Sequence, residues 1–342
     1  MKASVVYGVN DIRIMEVPTP CAGPGEVLVR VRSCGICATD VKILGGSGLP
    51  KNLPTILGHE AAGIVESLGD GVSDLEIGQR VAVYPIAACG ECFFCRRERY
   101  PLCLTPYGLA HGADGGFAEY LRVPRQIVHL GGIVGIGDLP FDLAAMIEPF
   151  SCCLSAAEQC STRAGDNVLI IGCGPLGLMH IIVSKDMGAR VIALDVDESR
   201  LARAAELGAD VTLNPQTSDV FQDVRGLTQV GADVVIAAVG AASVIEQYLP
   251  LVRSGGVFNI FGGTSQGETI RLDPRWLHYG EIALTGTFAA SLRHFKKSLE
   301  FVRANPGPVS KVISARCGLD GILRAVEQVR TGAALKTILM FD

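Results

Sequence analysis

Four cysteines stand close together in Cys89-Gly-Glu-Cys92-Phe-Phe-Cys95, with Cys103 after seven intervening residues. Four thiolates in one loop can close a tetrahedral shell around zinc and leave no position for a substrate, so such a site is structural. The rival is an iron–sulfur cluster, whose motif also begins Cys-x2-Cys-x2-Cys. There the fourth cysteine follows after three residues with a proline behind it; here the gap is seven and Leu104 comes next. Zinc is the better fit.

A second donor set is dispersed. Cys37 lies in Gly35-Ile-Cys-Ala-Thr-Asp40, His59 and Glu60 follow Gly58, and Glu148 precedes Pro149. One thiolate, one imidazole and carboxylates form a mixed set that keeps a coordination position open for water or substrate. Spacing alone does not join these residues. Each also reads as ordinary packing, His59 as a satisfied core histidine and Cys37 as a small buried hydrophobe.

A third constellation is glycine-rich. Gly172-Cys-Gly-Pro175-Leu176-Gly177 matches GxGxxG after an apolar run and ahead of a helical pattern. Gly172 suits the tight turn, Gly174 the approach of backbone to a pyrophosphate, and Gly177 close helix–strand contact. The helix N-terminus then offers its unpaired N–H groups to the phosphates. The next apolar run ends at Asp195, where a carboxylate accepts from ribose hydroxyls and repels a 2′-phosphate, favouring NAD over NADP. Arg200, just beyond, either lies over the adenine or is a solvated helix arginine.

The elements that must hold these groups have two textures. Up to about residue 150 the chain alternates short strands and turns, with Val27 to Val31 and Arg80 to Val83 as examples. From Asp166 continuous apolar runs recur at Asn167 to Ile171, Arg190 to Leu194, Asp233 to Val239 and Val257 to Phe261. Such runs suit strands of a parallel sheet buried on both faces. Helical patterns lie between them, such as Glu198 to Leu207 with Gly208 as its C-cap. This is a doubly wound nucleotide-binding pattern, so the fold class is α/β. After about Gly286 the rhythm changes to helices at Leu292 to Arg303 and Leu319 to Thr331 and a closing strand at Lys336 to Phe341.

With 342 residues, 49% of them hydrophobic, two cored domains are expected and disorder is not. A net charge of −5 gives no sign of a nucleic-acid or membrane-surface partner. Met1 to Pro20 lacks the apolar core of a signal peptide. The most apolar stretch, Val168 to Val183, is too short for a membrane span and is broken by glycines, Pro175 and His180. The expected location is the cytoplasm, where the eight cysteines outside the cluster stay reduced or bind metal. His111, His129, His180, His278 and His294 match no ligand motif.

Taken together and in this order, Gly-Ile-Cys-x-Thr-Asp, Gly-His-Glu, the four-cysteine lobe, Glu-Pro and GxGxxG resemble the zinc-containing medium-chain dehydrogenases over nearly the whole chain. Glu60 and Glu148 together resemble the sorbitol, polyol and threonine dehydrogenase branch, and Asp114-Gly-Gly-Phe-Ala-Glu-Tyr120 is similar to its bacterial sugar-acid members. The resemblance implies a GroES-like, strand-rich catalytic domain from residues 1–150, completed by 287–342, and a Rossmann NAD-binding domain at 151–286. It implies one catalytic and one structural zinc, with Cys37, His59 and either Glu60 or Glu148 as catalytic ligands. Zinc there acts as a Lewis acid on a secondary alcohol while NAD takes the hydride. Thr39 would accept the alcohol proton, and Asp40 would fix the His59 tautomer. Phe261, Gly262, Gly263, Thr287 and Phe288 would border the cofactor. A homo-oligomer, dimer or tetramer, is expected from the family alone.

The pattern also departs from its model. Lys42 stands where the family often has a histidine that ends the proton relay. Ile43 and Ala289 replace a tyrosine and an arginine that sorbitol dehydrogenases carry. Both replacements remove polar handles for a polyol. Sugar acids and L-threonine are therefore the competing substrates, and a non-catalytic zinc- and NAD-binding sensor the competing class.

Overall fold

The strand Val27–Ile36 alternates Val27, Val29 and Val31 into a core it shares with Val65, Val81 and Leu121. One of its edges pairs antiparallel with Glu60–Leu68. The other is divided: Tyr120–Val123 pairs with its first half and the C-terminal strand Lys336–Met340 with its second. Arg80–Val83, Ile133–Gly135 and Ile313–Cys317 complete a seven-stranded sheet. Both chain ends therefore build this unit, which comprises Met1–Ser151 and Ala290–Asp342 in the computed structural model; the model describes residues 1–50 and 52–342.

The second unit, Cys152–Ala289, holds a six-stranded sheet in the order Val211–Leu213, Arg190–Leu194, Asn167–Ile171, Ala232–Ala237, Val252–Ile260, Ala283–Gly286. All of its recorded pairings are parallel. Val168, Leu169 and Ile170 are wholly buried, as strands covered on both faces require. The first strand, Asn167–Ile171, lies where the order reverses, and ligands of doubly wound sheets bind at that switch point.

Several boundaries differ from the sequence expectation. The expected strand Val257 to Phe261 starts earlier, at Val252, and runs to Ile260. Gly255 and Gly256 sit inside the strand, at an irregularity in its register. The helix after Asp197 ends at Glu206 with Leu207 at the C-cap, and Gly208 follows at φ +103°. The expected helix from Leu319 opens as a short 3-10 turn, Leu319–Gly321, and becomes α-helical only at Ile322. Among the described residues no helix is long and apolar enough to cross a membrane.

Candidate active site

The four clustered cysteines converge in a loop built on two 3-10 turns, Cys95–Arg97 and Tyr100–Leu102. A zinc tetrahedron with bonds of about 2.3 Å has edges of about 3.8 Å. The sulfurs of Cys89 and Cys95 are 3.8 Å apart and those of Cys92 and Cys95 3.5 Å. Backbone N–H groups of Cys89 and Cys92 point at the sulfurs of Cys103 and Cys89, each at 3.4 Å. The N–H groups of Leu104 and Cys95 pull the Cys92 thiol down to about 6. The loop fits a closed tetrathiolate zinc.

Cys37 is the N-cap of the helix Ala38–Leu44. Thr39 N–H points at its sulfur at 3.5 Å, and the Asp40 carboxylate accepts the N–H of Cys37 at 2.9 Å. Asp40 is fully buried, accepts from Gly58 N–H at 3.3 Å, and stands 3.5 Å from His59 Nδ1. One carboxylate thus ties the cysteine turn to the histidine turn and leaves His59 Nε2 as the nitrogen free for a metal. Burial depresses the His59 pKa, but Asp40 and then Cys37 outweigh it and raise it well above the ordinary value. So negative a surround favours a cation, and proton and metal compete for the ring.

The turn before His59 demands glycine. Gly58 has φ +95°, and a Cβ there would lie 2.5 Å from the Phe117 ring and 2.9 Å from Cys34 Sγ. Phe117 belongs to the Asp114–Tyr120 stretch, whose Asp114 accepts from Ile56 N–H at 3.0 Å and Thr55 Oγ1 at 3.3 Å. That stretch supports the histidine turn. Ligand atoms of Cys37, His59 and Glu60 come within 4.8 Å of one another. Glu148 lies in the first turn of the helix Ile147–Gln159, half-buried and outside that group of three. Thr39 and Lys42 are exposed on the Ala38–Leu44 helix.

In the second unit Gly172 has φ +91°, which favours glycine, and a Cβ on Gly177 would lie 1.8 Å from Gly172 O, so the helix meets the turn only because residue 177 is glycine. A Cβ on Gly174 meets nothing within 4 Å. Gly174 is the N-cap of the helix Pro175–Asp186, with Leu176 in its first turn and no side chain capping it. Backbone donors therefore face open space, as a pyrophosphate needs. The Asp195 carboxylate accepts from Cys173 N–H at 2.6 Å and Asp197 N–H at 3.0 Å, and Arg200 Nη1 lies 4.0 Å from it. Gly262 packs onto the Val239 backbone, where a Cβ would lie 2.3 Å from an oxygen, with Phe261 and Gly263 on either side. Thr287 Oγ1 bonds Gln159 and Asn259 at 2.9 Å each, and Phe288 is 72% exposed.

Two family models match the chain: Alcohol dehydrogenase GroES-like domain over residues 23–131 and Zinc-binding dehydrogenase over 175–304. A sorbitol dehydrogenase of Bacillus subtilis is 32% identical over 96% of this chain and 93% of its own. An L-threonine 3-dehydrogenase of Symbiobacterium thermophilum is 37% identical over 76% of this chain and 74% of its own. A putative zinc-binding dehydrogenase of Sinorhizobium meliloti, solved bound to NADP, superposes with TM-score 0.93 at 32% identity, covering 99% of both chains. The chain belongs to the zinc-containing medium-chain dehydrogenases, polyol branch.

This medium-chain dehydrogenase is an enzyme that uses zinc and NAD to oxidise an alcohol. Bound zinc would supply Lewis acidity and NAD would accept hydride; the chain's residues supply donors and their orientation. One buried group in this machinery has no signal in the sequence. Lys336, 3% exposed, places Nζ 2.6 Å from Glu60 Oε1, bonds Oε2 as well, and donates to Ile36 O at 3.2 Å. Burial depresses its pKa, but Glu60, then Cys37 and Glu148 outweigh this and hold it above the usual lysine range. In sequence Lys336 is only the first residue of an apolar strand. The register of that strand brings it here.

Proposed function

We propose that this dehydrogenase oxidises a secondary hydroxyl of a polyol or sugar-derived diol to a ketone, using Cys37, His59 and one of Glu60 and Glu148 to hold the catalytic zinc. The observation that carries the reading is the convergence of three ligand atoms of different chemistry within 4.8 Å, a donor set that leaves room for a substrate oxygen. Asp40 orients His59, and Thr39 receives the hydroxyl proton. Lys42 lies three residues on, on the same helical face and exposed, where the family often has a histidine. Cys89, Cys92, Cys95 and Cys103 hold the structural zinc. Gly172 to Gly177, Asp195, Arg200, Phe261 to Gly263, Thr287 and Phe288 hold NAD.

The choice of a polyol rests on the sorbitol dehydrogenase relative, aligned over nearly the whole chain. L-threonine is the second reading, favoured by the relative with 37% identity. The choice of NAD rests on the Asp195 carboxylate, which repels a 2′-phosphate; half-buried Arg200 beside it works against that preference. Five thiolates given to zinc must stay reduced to bind it, which favours a reducing compartment, the cytoplasm. The edge strand Ala283–Gly286, with Tyr279 71% exposed nearby in sequence, supports a homo-oligomer.

The test is NADH formation from pentitols, hexitols, sugar acids, diols and threonine, with metal content measured before and after chelation. Turnover of a polyol above the rest, abolished by loss of the Cys37-bound metal, supports the reading. Threonine as the fastest substrate selects the second. Two zinc ions and bound NAD without turnover of any alcohol would leave the sensor class standing instead.

A further inference from the structure

Asn259 is fully buried in the parallel sheet of the second unit, between Phe258 and Ile260 on the strand Val252–Ile260. A strand covered on both faces calls for an apolar side chain there. The amide instead donates both of its N–H groups at 2.9 Å, one to Thr285 Oγ1 and one to Thr287 Oγ1. The register explains the reach. Asn259 stands opposite Thr285, and the ladder continues past Gly286 with Thr287 N–H on Ile260 O at 3.2 Å, which brings Thr287 onto the same face. The circuit then closes. Thr287 Oγ1 donates to Gln159 Oε1 at 2.9 Å, and Gln159 Nε2 donates to the carbonyl of Gly286 at 3.1 Å. The single hydroxyl hydrogen of Thr287 is thereby spent, so its oxygen can only accept from Asn259. Asn259 Oδ1 has no partner among the described residues.

A buried amide with an unpaired oxygen costs stability, so stability is not what this set provides. It provides direction. Asp195, at the end of Arg190–Leu194, is assigned above to the ribose on one side of the switch point, and Gly172 to Gly177 to the pyrophosphate. A dinucleotide laid across that point carries its other half over the carboxyl ends of the strands on the far side. Those ends are Ala237, Ile260 and Gly286, and the circuit sits at the last two. We propose that Asn259 is a positioning residue: through Thr287 and Gln159 it fixes the end of the last strand, against which the nicotinamide half of NAD rests. Asn259 itself has no exposed surface and touches neither cofactor nor substrate.

The inference rests on the assignment of Thr287 and Phe288 to NAD. The test uses the zinc-loaded enzyme and two ligands, NADH and ADP-ribose, which lacks the nicotinamide. Asn259→Leu keeps the branched shape of the side chain and removes both donors. It should weaken NADH at least about tenfold, a change of about 1.4 kcal/mol, and leave ADP-ribose within about twofold. The fluorescence emission of the NADH that still binds should move toward that of free NADH. Asn259→Val, whose side chain suits a strand, serves if the leucine variant does not fold. Thr287→Val cuts the same circuit, so combining it with the Asn259 substitution should weaken NADH no more than the stronger single change. Equal weakening of both ligands overturns the proposal, since the whole domain would then be loosened. Unchanged NADH affinity or fully additive losses overturn it too. Hydrogen exchange in the wild-type enzyme tests the assignment separately: NADH should slow the amides of Gly286 to Phe288 more than ADP-ribose does. Equal exchange with the two ligands would overturn the placement of the nicotinamide there, whatever the variants show.

Discussion

The lobe Cys89–Cys103 takes all its ligands from one loop, whereas Cys37, His59, Glu60 and Glu148 come from separate stretches of the first unit. The lobe closes on itself: its sulfurs accept from its own backbone N–H groups at 3.4 Å. The assembled site depends on the sheet. Asp40, Gly58, Phe117, Gly35 and Lys336 each hold one part of it, and the last arrives on the C-terminal strand. A closed shell of like ligands serves stability. A mixed shell crowded with charged neighbours serves chemistry, because its balance changes when a substrate oxygen enters.

The largest expected effect is in the assembled site. Cys37→Ser should lower kcat/KM by at least about a thousandfold, roughly 4 kcal/mol, and reduce zinc from two to one per chain, with circular dichroism unchanged. Normal turnover in this variant would remove the metal assignment. Cys95→Ser should do the reverse. It should lose the lobe zinc and lower the unfolding midpoint by about 5–10 °C, roughly 3 kcal/mol, with turnover at permissive temperature within about tenfold of wild type. If Cys95→Ser abolished turnover while the fold held, the division into structural and catalytic zinc would fail.

Asp40→Asn probes the carboxylate that links the two ligand turns. It keeps the shape but removes the charge facing His59 Nδ1 and the acceptor for Cys37 N–H. Catalytic-zinc affinity should fall about 10–100-fold, the range for such supporting groups, measured by competition with a chromogenic chelator. The lobe zinc should stay bound. An equal loss of both metals would show general unfolding rather than a local role.

The same contrast decides what was legible in the sequence. The lobe could be read because its ligands are spaced along one loop, and the dinucleotide turn because strand, glycines and helix are contiguous; the sulfurs converge and the glycines pack as those spacings require. The parallel strands of the second unit were legible as apolar runs, but the glycine pair inside Val252–Ile260 hid that strand's beginning. Cys37, His59 and the glutamates could be joined only through family resemblance, since nothing in their spacing encodes a strand register. Lys336 stayed invisible for the same reason. A lysine opening an apolar strand looks solvated until pairing of Thr337 with Ile36 places it beside Gly35.

The smallest effects separate the two sites by how glycine is used in each. Gly35 lies within the extended strand Val27–Ile36, so an alanine meets no backbone penalty there and acts only through its Cβ, 1.8 Å from the Glu60 carboxylate. That carboxylate is held by Lys336 and cannot swing aside without breaking a buried pair. Gly35→Ala should therefore cost about 1–3 kcal/mol, as overpacking does, and should also change zinc retention. Gly90 in the lobe has φ +80° with nothing within 4 Å of a Cβ, so Gly90→Ala meets backbone strain alone. Its cost should be about 1–2 kcal/mol, with catalytic-zinc retention untouched. Urea unfolding paired with chelator competition reads both quantities. If Gly35→Ala lowered stability without altering retention of the Cys37-bound metal, Glu60 would not be coupled to that metal, and the assembled site would not depend on the sheet in the way its geometry indicates.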